Sequence, residues 1–228
     1  MFNDDPLPFV RDITSADCTL FGDESFPVAK GVVLERVHSS DTRLWTTLFT
    51  EGEGIVSVAS KNLAGSSEPF VWGYFSLQKK AKSRNYFLFD ADIKDDMFRI
   101  RRSKTALLTA MNWAAYLRRY LVYGHPDDEL LSTLYWCMKL LTFPAVPPSA
   151  AEWRLLRLWL EGWGLAPDIL NFHADRGFNS DEIALLYQTA ALSPQKAAKL
   201  FTGRLSPNIR RNVFKVASSL ALGFFDQI

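Results

Sequence analysis

Between Lys30 and Asp95, apolar and polar residues alternate in short runs. After Asp95 the apolar residues recur every three or four positions. A period of two suits half-buried strands, and a period near 3.6 suits amphipathic helices. Five runs rich in β-branched and aromatic residues fall at about 31–38, 43–50, 54–61, 69–78 and 84–92, separated by turn-forming clusters such as Ser-Ser-Asp-Thr and Glu-Gly-Glu-Gly. Five strands in so short a stretch, with short polar links, predict a small closed barrel. Strand number alone fits an OB-type barrel and an SH3-like barrel equally well. Gly73, inside the long fourth run, marks an expected bulge or bend.

Leu107, Met111, Ala114, Leu117 and Leu121 predict one face of a first helix, with Arg118 and Arg119 off that face and Gly124-His125-Pro126 as its stop. Asp127, Asp128 and Glu129 suit the positive end of a second helix, whose apolar face is Leu130, Leu134, Cys137, Met138 and Leu141. Ser149 with Glu152 reads as a capping box for a third, Trp153 to Trp163, which is apolar nearly all round and so central. Ser180-Asp181-Glu182, Ser193-Pro194 and Ser206-Pro207 open further helices, the last burying Ile209, Val213, Val216, Leu220 and Phe224. The expected organisation is therefore α+β: an acidic extension at 1–29, a five-stranded barrel at 30–94, and an all-α helical bundle at 95–228.

Composition changes this picture only modestly. About half of the 228 residues are apolar, enough for a sizeable core. The net charge of +1 does not advertise a polyanion partner, but the charge is unevenly placed. Residues 1–94 carry 10 basic and 13 acidic side chains and the remainder 16 and 12. Two distant cysteines, Cys18 and Cys137, offer no CxxC, so neither a cysteine zinc site nor any other metal or cofactor is expected. The first residues lack a basic and apolar leader, and no apolar run reaches membrane-spanning length, so the expected location is the cytoplasm, with no membrane partner. His38, His125 and His173 are far apart, and no phosphate-binding, nucleophile-elbow or zincin motif is present, so an enzyme is not expected.

Several segments resemble the RecO family of recombination mediators. Lys30-Gly31-Val32-Val33-Leu34, Asp41 before Arg43-Leu44, Leu48-Phe49-Thr50, Gly54-Ile55 and Val58-Ala59 are similar to that family's first three strands. Pro69-Phe70 before an aromatic strand is similar to its fourth, and Leu155-Leu156-Arg157-Leu158 through Gly162-Trp163-Gly164-Leu165-Ala166-Pro167-Asp168 to its glycine-terminated helix and following turn. The resemblance covers about residues 30–220. It implies an OB-type barrel followed by a helical domain. It also implies binding of single-stranded DNA, with double-stranded DNA as a further candidate, and strand annealing and RecA loading in recombinational DNA repair. The partners it implies are RecR and single-stranded-DNA-binding protein, and the place of action is the nucleoid. This chain departs from the family in three ways. Residues 171–177 lack the zinc-site cysteines many members carry, residues 62–68 lack the usual basic loop, and the acidic extension is longer.

The residues suggest where DNA would be held. Lys79, Lys80, Lys82 and Arg84 place four cations in six residues between the fourth and fifth runs, suited to a phosphate backbone or, more blandly, to a solvated turn. Arg36, Arg43 and Lys61 would extend that charge over one barrel face. Trp45, Phe70, Trp72, Tyr74 and Tyr86 are candidate stacking platforms, Trp72 and Tyr74 first because they are two apart on one strand; most aromatics in a small barrel are core. Arg99, Arg101, Arg102 and Lys104 cluster at the barrel–bundle junction, as a helix-start surface or as ion-pair partners of Asp92, Asp95 and Asp96. The resemblance also implies a site on the helical domain for the acidic tail of single-stranded-DNA-binding protein, for which Arg118, Arg119, Arg210, Arg211 and Lys215, on outer helical faces, are the candidates. The alternative is a non-catalytic protein-interaction scaffold on the same fold that has lost most DNA binding.

Overall fold

The computed structural model describes residues 27–40, 43–60, 68–79, 86–146 and 148–164, with 192, 193, 195, 196 and 199. Five strands, β1 (Val28–Ser40), β2 (Arg43–Thr50), β3 (Gly54–Ser60), β4 (Trp72–Lys79) and β5 (Tyr86–Asp95), close into a barrel in the order β1-β2-β3-β5-β4. Neighbours are antiparallel except β3 and β5, which run parallel. This order is consistent with an OB-like barrel. Alternation decides which side chains turn inward: Ala29, Val33, Leu48, Val56, Val58, Phe75, Leu77, Tyr86 and Leu88 fill the interior. β1 pairs with β4 through Val28–Val32 and with β2 from Gly31 to Ser40, and a register shift lies between Val33 and Glu35, just past the last β4 partner. A second shift lies opposite Gly73, where the expected irregularity is found. A side chain at Gly73 would run into the Asp92 carbonyl.

The β3–β5 ladder spans only Val58↔Tyr86 and Ala59↔Phe87. Beside the first part of β3, an isolated bridge joins Ile55 to Tyr123, and the Gly124 amide donates to the Ile55 carbonyl at 3.0 Å. The β2–β3 turn is held from the same side: the Gly52 amide donates to Asp128 Oδ1 at 2.9 Å. Gly54 turns at φ +67°, and a Cβ there would fall against the His125 carbonyl oxygen. Only glycine meets both conditions without strain.

Four helices follow: α1 (Phe98–Arg102), α2 (Lys104–Tyr120), α3 (Asp128–Leu141) and α4 (Pro148–Gly162). Ser103 caps α2 and Asp127 caps α3, each accepting the backbone amide three residues on. The apolar face expected for α3 is buried throughout. On α2 the buried stripe is Ala106, Ala110, Trp113, Ala114 and Leu117, while Met111 stands 53% exposed; small alanines let the helix lie close to its neighbours. α4 begins at Pro148, so Ser149 lies inside the helix rather than capping it. Trp153, Leu155, Leu156, Trp159 and Leu160 make α4 a central helix. Residues 1–26, and the later helices expected from Ser180 and Ser206, lie outside the described residues.

One core joins the barrel to the helices. The outer wall of the barrel contributes Val32, Leu34, Phe49, Ile55, Phe70 and Trp72 to the cluster that α1–α4 fill. Met97, 1% exposed and left-handed at φ +48°, makes the sharp entry into α1. Ion pairs Arg118–Glu35 and Lys139–Asp95 tie α2 to β1 and α3 to the end of β5. Among the described residues no helix is long and apolar enough to cross a membrane.

Candidate nucleic-acid interface

Cross-strand register builds a row of side chains on the outside of the barrel. Val37 pairs with Trp45, Trp45 with Ala59, Ala59 with Phe87, and Phe87 with Gln78. The sequence neighbours of the three central positions (Leu44, Thr46, Val58, Ser60, Tyr86 and Leu88) are all buried, so the row itself faces outward. Trp45, Ala59 and Phe87 are half-buried, and Val37 is exposed. The row runs round the closed barrel, and with strands about 4.8 Å apart its part from Trp45 through Ala59 to Phe87 covers roughly 10 Å. That part carries two aromatic side chains with an alanine between them, residue types on which bases stack.

Lys79 follows Gln78 but pairs with Tyr86, so it is exposed at the mouth of the barrel and not on the row's own face. Its ammonium lies 5.3 Å from the Tyr86 ring centre. The Tyr86 hydroxyl donates to Glu53 Oε2 at 2.6 Å. Burial, then that carboxylate, pushes the phenol up to about 12, so it remains a neutral donor beneath the lysine. Lys79 thus lies over an aromatic ring that is itself held by Glu53. In the sequence it opens the run that continues with Lys80, Lys82 and Arg84, which lie outside the described residues, as does Lys61.

Several of the other expected contacts are engaged away from this row. Arg36 is paired with Glu68 at 2.7 Å. Arg43 opens β2 opposite Ser40, two residues before Trp45 on the same strand. Trp72, expected to stack on a base, is 3% exposed; α3 covers it, with the Tyr135 ring centre 4.6 Å away. Trp72 and Tyr74 share the outer barrel wall as expected, but the helices bury the first and leave only the second at the surface. Tyr74 pairs with Asp92 in the ladder and lies under Lys94 at 5.8 Å, and Lys94 is held by Asp92 at 2.5 Å. Asp92 beside the ring disfavours phosphate there. Of the remaining candidate platforms, Tyr86 packs in the barrel interior and Phe70 in the shared core.

Arg118 is engaged by Glu35, while Arg119 is exposed with its guanidinium 5.4 Å from the Tyr120 ring centre. Arg210, Arg211 and Lys215 lie outside the described residues. At the junction, Arg101 donates to the carbonyls of Asp96 at 2.6 Å and Pro69 at 3.2 Å. Asp92 and Asp95 pair with Lys94 and Lys139 instead of the arginines. Arg101 is therefore a backbone clasp, and exposed Phe98 lies beside it and Arg102.

Sequence reasoning missed Phe87 and Val37. Alternation within 84–92 already sets Phe87 on the opposite side from Tyr86 and Leu88, but only the parallel β3–β5 register places it beside Ala59 and Trp45. The Cys137 thiol is fully buried and pushed up to about 12 by that burial, so it is a core residue and no nucleophile. Among the described residues no three histidine, cysteine or acidic side chains are grouped to hold a metal ion. No protein-family model matches the chain, and no curated protein matches it.

Proposed function

We propose that the chain is a RecO-like mediator of DNA recombination and repair, an OB-type barrel that binds single-stranded DNA joined to a helical domain that docks partners. The observation that carries this reading is the outer row through Trp45, Ala59 and Phe87, ending beside Lys79. It crosses the face formed by the second and third strands, where OB barrels take oligonucleotides, and a cationic run begins at its end. Bases stack on Trp45 and Phe87 while Lys79, Lys80, Lys82 and Arg84 neutralise phosphates. The helical layer docks RecR and single-stranded-DNA-binding protein, with Arg119 the exposed arginine of α2. Annealing of complementary strands and RecA loading follow from charge neutralisation and displacement of a competitor, with no covalent chemistry. The place of action is the cytoplasm, at the nucleoid, on single-stranded DNA, with double-stranded DNA a further candidate.

A second reading is a protein-interaction scaffold that has lost most DNA binding. It is favoured by the engagement of Arg36 by Glu68, which withdraws a cation from any phosphate. Fluorescence anisotropy with a labelled single-stranded oligonucleotide across a salt series separates the two. The first reading expects binding at low salt and a shallower salt dependence in the Lys79/Lys80/Lys82/Arg84→Ala variant, by about 0.7 in log–log slope for each phosphate that is no longer neutralised. Absence of binding at low salt selects the scaffold. Binding with an unchanged slope in the variant moves the phosphate-binding surface away from Lys79–Arg84.

A further inference from the structure

Cations concentrate where the barrel hands over to the helices. Residues 96–104 hold Arg99, Arg101, Arg102 and Lys104 against one acid, Asp96. The backbone decides which of them face water. Met97, left-handed at φ +48°, and Ile100 are drawn fully into the shared core. Their spacing of three gives α1 one buried side. Phe98, Arg99 and Arg102 are left outside it, all exposed, as is Lys104 at the start of α2. The guanidiniums of Arg101 and Arg102 lie 5.8 and 5.3 Å from the Phe98 ring centre.

Internal pairing does not account for these charges. Six ion pairs form among the described residues, and none of them takes Arg99, Arg101, Arg102 or Lys104. The two nearest acids are engaged: Asp95 pairs with Lys139, and Asp96 Oδ1 accepts the Phe98 amide at 2.9 Å. Helix stability does not account for Lys104 either. It opens α2, whose first turn holds no acid and whose dipole disfavours a cation there.

We propose that Phe98, Arg99, Arg102 and Lys104 form a second nucleic-acid contact surface, separate from the Trp45–Phe87 row, that takes the phosphates and a base of a single strand. Guanidiniums meet phosphate oxygens through paired donors, and an exposed ring stacks on any base. Arg101 fixes the turn by its bonds to the Asp96 and Pro69 carbonyls and leaves phosphate to its neighbours. An acidic peptide would use the cations alone and leave Phe98 in water; a nucleotide uses both. Asp95 ends β5 eight residues past Phe87, about 26 Å along the strand. The two surfaces therefore do not make one short site, and each holds its own strand. Two strands on one chain raise each other's local concentration, the condition that annealing needs. That consequence rests on the DNA-binding reading above, whereas the surface itself rests on the residues around α1.

Isothermal titration calorimetry of the full chain at low salt, with an oligothymidylate of about 6 nucleotides, near the short end of OB sites, counts the surfaces. Two copies should bind the wild type and one the R99Q/R102Q/K104Q variant, which keeps the Arg101 clasp and whose fold circular dichroism confirms. F98A should weaken the second copy by roughly 5- to 150-fold, the worth of one stacked base. Equal numbers on the wild type and the triple variant overturn the proposal; if that number is zero, the DNA-binding reading falls with it. One copy on the wild type and none on the triple variant keeps the α1 surface and removes the barrel row as a DNA site. If the triple variant loses a labelled oligoglutamate peptide and keeps all its oligothymidylate, the surface belongs to an acidic protein partner and the proposal is overturned.

Discussion

Replacing Glu152 with Gln should stabilise the protein at neutral and alkaline pH and leave it unchanged in acid. Glu152 lies on α4 between Ala151 and Trp153, both 0% exposed, where burial pushes its carboxyl from 4.5 to about 7. It faces Tyr116 of α2, whose hydroxyl is raised first by its own burial and then by this carboxylate. A folded-state value above the unfolded one means that the native protein binds the extra proton. That contribution is fully present below about pH 4.5 and is lost as pH rises through about 7. At about 1.4 kcal/mol for each pH unit between the two values, the ionised side chain costs on the order of 3 kcal/mol at pH 8. For a chain of this size that corresponds to a melting temperature lower by roughly 6–12 °C than that of a neutral isostere. Thermal melts of the wild type and E152Q at intervals from about pH 4 to about pH 8.5 give the comparison directly. The two curves should coincide in acid and separate through the interval, with the variant above. An offset that stays constant with pH, or a variant that melts lower at pH 8, would refute the reasoning.

Three further outcomes follow from the geometry. Trp72→Ala should lose about 3–5 kcal/mol in urea unfolding, whereas Trp45→Ala, on the open barrel face, should lose far less stability and weaken oligonucleotide binding by roughly 5- to 150-fold in anisotropy titrations, the worth of one stacked base. Gly54→Ala should cost at least about 1–3 kcal/mol from its positive φ alone, with more from the His125 carbonyl it would strike, and a melt unchanged from wild type would rule this out. A double-mutant cycle on Glu35→Gln and Arg118→Met should return a coupling of about 1 kcal/mol or less by denaturation, since each side chain is about a third exposed and solvent screens the pair.

The strands were legible because each is a local pattern. The five runs lie within a few residues of the observed strands, and even the irregularity at Gly73 shows in a single glycine among aromatics. The acidic start of α3 and its apolar face were legible for the same reason: capping and helical period are short-range. What sequence withheld is non-local. Trp72 reads as a surface aromatic until α3, about 60 residues later in the sequence, brings Tyr135 over it. Arg36 and Arg118 read as free cations until the fold gives each a glutamate from elsewhere in the chain. Phe87 gains its neighbours only through the parallel ladder with β3. The cationic run from Lys79 was legible, but the aromatic row beside it was not.

The segment Val122–Gly124 has a consequence beyond packing. Over Gly54–Ser57, β3 would present unpaired backbone to any passing strand, because its ladder with β5 covers only Val58 and Ala59. Such an edge is a template for recruiting another chain. The bridge from Tyr123 and the Gly124 amide occupy the Ile55 position of that edge. The loop between α2 and α3 thereby guards the barrel against self-association. Substitutions that loosen it should first appear as concentration-dependent aggregation, before any loss of helix or strand.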